Sequence, residues 1–171
     1  GLQVSCDAGE DNSHYGCFTL DGCVTLALSD GRSATERCAE EGLSELIVFD
    51  LADDYATASR IGIARATQAS AAAQEKAVAF WQALGKSVSV LADIPGLVVL
   101  RTVCMLANEG ADTVNHGVAH VMDVDRAMCE GLYYPRGPLQ WADALGLDFV
   151  LYVLGNLQES YGEARYRTSP L

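Results

Sequence analysis

Few residues of this 171-residue chain have the types and spacing that chemistry needs. His116 and His120 stand four apart, which on a helix would bring two imidazoles to one face for a metal ion. Gly117 lies between them and no glutamate completes a His-Glu-x-x-His arrangement, so a solvent-facing loop is the expected setting. Asp50, Asp53 and Asp54 crowd three carboxylates behind an apolar run. Such oxygens suit magnesium, but an ordinary polar turn after a strand is the expected setting. Ser29-Asp30-Gly31-Arg32-Ser33 can cradle a phosphate at a helix start or serve as a plain helix cap. Asn108-Glu109 is a candidate for lining a substrate channel, against a solvent or subunit face. Tyr133-Tyr134 and Trp141 can stack on an adenine or pack in a core or interface. No base-and-acid set is assembled from Asp53, Asp54 or His116, which argues against an enzyme working on these residues alone.

The elements that must position these residues fall into two styles. Cys23 to Leu28 and Leu46 to Phe49 are short apolar runs that predict buried strands. Ser33, with Glu36 three residues on, is a capping-box signal for a helix ending near Glu41 and Gly42. This half predicts β-α-β and a small parallel sheet. Residues 55–66 fit a helix or an irregular strand. Residues 68–74 are poor in bulk and form a candidate junction. Residues 71–84 predict a helix stopped by Gly85, and 87–91 a strand. Beyond Pro95-Gly96 the pattern is helical: 97–115, then 124–129 capped by Asp123, then a helix opened by Gly137-Pro138 and stopped by Gly146, and last 149–161 capped by Asp148. The expected class is α+β: a remnant of a parallel nucleotide-binding-type sheet, then an all-α domain. The expected divisions are 1–19, an irregular segment or linker; 20–94, a degenerate partial Rossmann-like domain; and 95–171, a helical domain.

Composition limits the partners. With half the residues apolar and a fifth charged, the chain is globular rather than disordered. Its net charge of −12 disfavours nucleic acid and anionic membranes. No apolar run is long enough to span a bilayer and no signal peptide is evident. Of six cysteines, Cys23, Cys38, Cys104 and Cys129 sit among apolar neighbours. They are expected to be buried reduced thiols of a cytoplasmic protein, with a Cys6–Cys17 disulfide as the minor alternative. The opening Gly1 is consistent with a fragment or a trimmed chain.

Three stretches resemble the 3-hydroxyacyl-CoA dehydrogenase family. The first is Ala77-Val78-Ala79-Phe80-Trp81-Gln82-Ala83-Leu84-Gly85-Lys86. The second is Asp93-Ile94-Pro95-Gly96-Leu97-Val98-Val99, with the long helix and Asn108-Glu109 behind it. The third, the most specific, runs from Asp123-Val124-Asp125-Arg126 through Tyr134-Pro135-Arg136-Gly137-Pro138-Leu139 to Asp143 and Gly146-Leu147-Asp148. The resemblance implies the C-terminal part of an NAD-dependent enzyme that oxidises 3-hydroxyacyl-CoA in fatty-acid or phenylacetate breakdown, and the second helical domain of a long bacterial form. It also shows what is missing. Where the family has a strand ending in a catalytic histidine, this chain has Phe49-Asp50-Leu51. Where the family has its orienting glutamate, near 61–64, no carboxylate occurs. Where the family has an active-site asparagine, there is Leu100. No GxGxxG follows a strand.

The expected role is therefore non-catalytic. The chain would shape the acyl-CoA cleft by packing on an upstream catalytic domain and first helical domain of the same protein, and would dimerise through its helical domain. NAD is expected in the parent enzyme and not on this chain. Substrate or interface candidates are Asn108, Glu109, Tyr134, Arg136 and Trp141. Arg101, Arg136, Arg165 and Arg167 are candidate contacts for a CoA phosphate. The alternative is a free-standing acyl-CoA-binding or regulatory module without catalysis.

Overall fold

The structure is a computed structural model that describes residues 4–5 and 16–171. It divides into one unit ending at Val99 and a second spanning Leu100 to Leu171.

The first unit is built on a six-stranded sheet whose spatial order follows the chain: β1 (Val4–Ser5), β2 (Cys17–Leu20), β3 (Val24–Leu28), β4 (Leu46–Phe49), β5 (Arg60–Arg65) and β6 (Ser87–Val90). Between them lie α1 (Ala34–Glu40) and α2 (Ala71–Ala83). The pairs β3–β4 and β5–β6, each joined across a helix, are parallel. The sheet is nevertheless mixed, because β1–β2, β2–β3 and β4–β5 are antiparallel. The reason lies in the connections. Parallel neighbours need a crossover of a dozen or more residues, and residues 50–59 between β4 and β5 contain no helix. The strand β2 was not expected, since residues 1–19 looked irregular. A tight turn makes it: Asp21 and Gly22 take φ of 50° and 68°, and Cys23 N donates to Leu20 O at 3.1 Å. This primed-turn geometry matches the twist of paired strands. Residues 55–66 resolve into a regular β5, and residues 68–74 lead into α2 within the same unit rather than between units.

Burial explains why the strands read so clearly. All four residues of β4 are buried, and Leu26, Ala27, Ile61, Ile63 and Ala64 join them. Removing a side chain the size of Leu26, Ile61 or Ile63 from water contributes about 1.5–3 kcal/mol. Phe18, Phe49, Tyr55, Phe80 and Trp81 form one aromatic cluster with centroids 5.1–6.4 Å apart. The capping box at α1 is present, Glu36 N donating to Ser33 Oγ at 3.1 Å and Ser33 N to Glu36 Oε2 at 3.4 Å.

The second unit is helical: α3 (Val99–Asn115, from Leu100 onward), α4 (Val121–Leu132), α5 (Pro138–Leu145), α6 (Leu147–Tyr161) and a short 3-10 turn (Ala164–Tyr166). Its core contains Leu100, Val103, Cys104, Ala107, Phe149, Val153, Leu154, Leu157 and Tyr166. Two starts differ from expectation. His120, not Asp123, is the N-cap of α4, which leaves Asp123 in the first turn, where its charge complements the helix dipole. Gly146 precedes α6 directly, so Asp148 lies inside the helix in the same kind of position. Cys38 and Cys104 are buried, whereas Cys129 is half-buried and Cys23 is exposed because it lies in the hairpin turn. Cys6, invoked for a disulfide with Cys17, lies outside the described residues. Among the described residues no helix is long and apolar enough to cross a membrane.

Candidate functional site

In the first unit the start of α1, a place that could receive an anion, is taken by one of the protein's own carboxylates. The amides opening α1 follow β3, where a phosphate would be expected in a β-α-β unit. Asp93 occupies them: Oδ1 accepts from Ala34 N at 2.6 Å, and Oδ2 accepts from Thr35 N at 2.9 Å and Thr35 Oγ1 at 2.5 Å. The nearby cations are neutralised as well. Arg32 donates to Asp30 at 2.6 Å, Glu40 at 2.6 Å and Glu41 at 2.7 Å. Burial works against its charge, but these partners outweigh it and hold the group well above the ordinary arginine value. Arg37, almost wholly buried, donates to Glu41 at 3.0 Å and to Leu28 O at 2.9 Å. The loop 29–33 is thus a closed ion network around an ordinary cap.

The three aspartates after β4 separate by role. Asp50 is buried, and its Oδ2 accepts from Val98 N at 3.0 Å and Val99 N at 2.8 Å, while Oδ1 accepts from Leu51 N at 2.9 Å. Asp53 and Asp54 are exposed. Asp54 accepts from Ala56 N at 2.8 Å and Thr57 Oγ1 at 2.9 Å, which holds its carboxyl below the usual range. His116 ends α3 and His120 begins α4, so they do not share a helical face. Among the described residues no group of three His, Cys, Asp or Glu could hold a metal.

In the second unit the five candidates fall into four settings. Asn108 is buried and clamps the chain end: its Nδ2 donates to Arg167 O at 2.9 Å and its Oδ1 accepts from Ser169 N at 2.8 Å. Arg136 covers Trp141, its guanidinium 5.0 Å from the ring centroid, and Trp141 is buried beneath it. Tyr134 follows the left-handed Tyr133 (φ 57°) that ends α4. The Arg136-Gly137-Pro138 string has a physical cause here. Buried Asp125 reaches from α4 to accept from Leu139 N at 2.8 Å, and a Cβ on residue 137 would lie 2.3 Å from its Cγ. Only glycine permits that approach.

Glu109 lines a cavity of about 260 Å³ together with Arg101, Thr102, Met105, Leu106, Arg165 and Tyr166. Arg101 donates to Tyr161 Oη at 3.2 Å and to Tyr166 Oη. Its guanidinium lies 4.8 Å and 5.4 Å from the two ring centroids. Arg165 lies 5.7 Å from the Tyr166 ring and pairs with Glu163. The pairing of Arg101 with two tyrosines near the chain end was not anticipated, because nothing in local spacing links residues 101, 161 and 166.

Comparison with known proteins fits this geometry. The profile of the 3-hydroxybutyryl-CoA dehydrogenase reduced Rossmann-fold domain matches residues 26–95, and that of the 3-hydroxyacyl-CoA dehydrogenase C-terminal domain matches residues 96–171. The chain belongs to the 3-hydroxyacyl-CoA dehydrogenase family. It is 46% identical over 99 residues to the 3-hydroxyadipyl-CoA dehydrogenase of Escherichia coli, a match covering 58% of this chain and 21% of that protein. It is 40% identical over 88 residues to a 3-hydroxybutyryl-CoA dehydrogenase of Bradyrhizobium diazoefficiens, covering 52% and 30%. The crystal structure of 3-hydroxybutyryl-CoA dehydrogenase from E. coli K12 superposes with a TM-score of 0.86 at 34% identity, over 98% of this chain and 33% of that one. The chain therefore spans a fifth to a third of the length of these relatives.

Against the family pattern, the places implied for catalytic groups are apolar and enclosed. Phe49 is buried in the aromatic cluster, Ile61, Ile63 and Ala64 are core residues, and Leu100 is fully buried. These side chains can neither take nor give a proton. Nor do the described residues fit a dinucleotide at the start of α1. Asp93 and Ser33 hold the amides, and a pyrophosphate would meet the Asp93 carboxylate head-on.

Proposed function

We propose that this chain is the C-terminal part of an NAD-dependent dehydrogenase that oxidises 3-hydroxyacyl-CoA to 3-oxoacyl-CoA, and that it supplies scaffold and cleft wall rather than chemistry. The observation that carries this is the buried apolar set Phe49, Ile61, Ile63 and Leu100 at the positions where the family pattern calls for histidine, glutamate and asparagine. The partial coverage of the relatives supports an upstream segment of the same protein that holds the cofactor and a first helical domain. In this proposal the helical unit packs on those parts and on a second copy. The exposed Val118, Met122, Tyr133, Leu147 and Leu151 are apolar surface available for such contacts. The substrates are acyl-CoA thioesters of fatty-acid or phenylacetate breakdown, in the cytoplasm. The name of the E. coli relative adds a dicarboxylic acyl chain as one such substrate.

The test is an NADH-oxidation assay with acetoacetyl-CoA on the chain alone. A missing general base costs about 10²–10⁴ in rate, so turnover below about a hundredth of that of a complete relative is expected. Turnover matching a complete relative defeats the proposal. A second proposal, a free acyl-CoA-binding module, draws on an apolar cleft of about 110 Å³ lined by Ala107, Ala111, Leu139, Val150, Leu151 and Leu154. It predicts that calorimetry detects butyryl-CoA binding to the chain alone, which the scaffold role does not require.

A further inference from the structure

We propose that the cavity of the helical unit bounded by Arg101, Arg165 and Tyr166 binds a small oxyanion, either a carboxylate or a phosphate. The argument begins with charge. Every arginine of the first unit's ion network meets carboxylates at close range. Arg101 does not: among the described residues its guanidinium has hydrogen bonds only to the hydroxyls of Tyr161 and Tyr166. A half-buried cation without a carboxylate is costly unless something else neutralises it. A second guanidinium, that of Arg165, lies on the same Tyr166 ring. Stacked tyrosines, their centroids 5.2 Å apart, offset part of the charge through their faces but supply no anion.

Donor geometry points the same way. Each tyrosine hydroxyl accepts from Arg101, so each keeps its own proton to donate. The Tyr166 phenol and the planar Arg101 guanidinium, with unused N–H groups, both border the cavity, the kind of donor set that holds carboxylate or phosphate oxygens, and Tyr161 helps to fix the guanidinium. The rest of the wall is apolar, from Met105 and Leu106, and the cavity of about 260 Å³ admits an oxyanion with a short hydrocarbon body. One acid, Glu109, lines the cavity and is exposed. It makes no ion pair with either arginine among the described residues, so it sets a repulsive wall against any anion that enters. The inference needs only the geometry of this unit and stands apart from the parent enzyme's reaction.

The experiment is isothermal titration calorimetry of the whole chain with inorganic phosphate and, separately, with glutarate, at ionic strength held constant with chloride. Saturable binding of at least one anion is expected, on the order of millimolar or tighter. A preference for phosphate identifies a phosphate ester as the physiological group, and a preference for glutarate identifies a carboxylate; either supports the site. Arg101→Gln should weaken binding about tenfold or more, and Tyr161→Phe or Arg165→Gln about three- to tenfold. Glu109→Gln should tighten it about two- to threefold, an effect that a purely structural role for Arg101 would not produce. Arg126→Gln, an exposed residue on α4 whose partner is Glu130, should change nothing. Should Arg101→Gln fail to fold, Tyr161→Phe and Arg165→Gln decide the matter, since one removes only a support of the Arg101 guanidinium and the other only the second cation. No saturable heat for either anion up to about 50 mM, or affinities unchanged in both of those variants, would overturn the site.

Discussion

One ion network of the first unit and one cavity of the second make the sharpest contrast in the molecule. In the first unit the start of α1 and Arg32 are closed off by carboxylates, Asp93 on α1 and Asp30, Glu40 and Glu41 around Arg32, while Asp50 takes the amides of Val98 and Val99. In the second, Arg101 faces a cavity with only phenols for partners. Carboxylates of the same unit leave the start of α1 closed to an outside anion, whereas phenols leave the charge of Arg101 without a counter-charge.

The comparison breaks most visibly at Asp50. Replacing it by Ala leaves the amides of Leu51, Val98 and Val99 without their shared acceptor at a buried site. The first unit should lose about 3–4 kcal/mol. Each unit carries one tryptophan, Trp81 and Trp141, so in a Trp141→Phe background Trp81 fluorescence follows the first unit through urea denaturation. An unchanged midpoint would mean that Asp50 is a bystander. In the second unit the corresponding weak point is steric. Gly137→Ala drives a Cβ into Asp125 and should cost about 2–3 kcal/mol, read from Trp141 in a Trp81→Phe background. The double variant Gly137→Ala/Asp125→Gly should recover part of that loss, because it removes the Asp125 Cβ, 2.4 Å from the added methyl, as well as the carboxylate, even though the cap stays absent.

A smaller effect is expected at Asn108. Its amide holds the backbone of Arg167 and Ser169, and Asn108→Ala should cost about 1–2 kcal/mol. The readout is Cys104. Burial pushes that thiol up to about 12, which keeps it protonated and slow to react at neutral pH. Alkylation of Cys104 should speed up in Asn108→Ala while that of buried Cys38, in the first unit, stays the same. Equal acceleration at both cysteines would show that the units do not open separately.

Much of the fold is written in local signals, and the exceptions have physical causes. The capping box at Ser33, the all-buried run of β4 and Pro138 at the start of α5 each carry their structure within a few residues. The strand β2 was hidden because Cys17 to Leu20 is short and follows a polar stretch, although Asp21-Gly22 is a recognised hairpin signal. β5 was ambiguous because its two arginines bracket a short apolar run with a glycine inside it. The candidate sites were less legible than the fold. Asn108, a candidate for a substrate channel or for a solvent or subunit face, holds the backbone of Arg167 and Ser169, a partnership spanning some sixty positions in sequence. Asp93 and Asp125 stood inside family-like strings without any visible role, because the amides they cap come from distant segments. Spacing reveals what is near in sequence, and these carboxylates act through what is near only in space.

The smallest effect sharpens the contrast from the first unit's exposed side. Asp54 differs from Asp50 in being fully accessible, yet Ala56 N and Thr57 Oγ1 both donate to it. Those bonds favour the charged form and lower its pKa below the usual value. A depressed carboxylate contributes stability that is present above its unfolded pKa and is lost as the pH falls through its folded one. The turn at 54–57 should therefore loosen only in acid, at a pH below the ordinary aspartate range. A carboxyl-carbon NMR titration should show Asp54 titrating below the aspartate of an unstructured peptide. In Thr57→Val, where one donor is lost, the midpoint should move back up toward it. An Asp54 midpoint equal to that of the peptide would mean that the turn makes no use of the charge, and that the first unit's carboxylates matter only where they are buried.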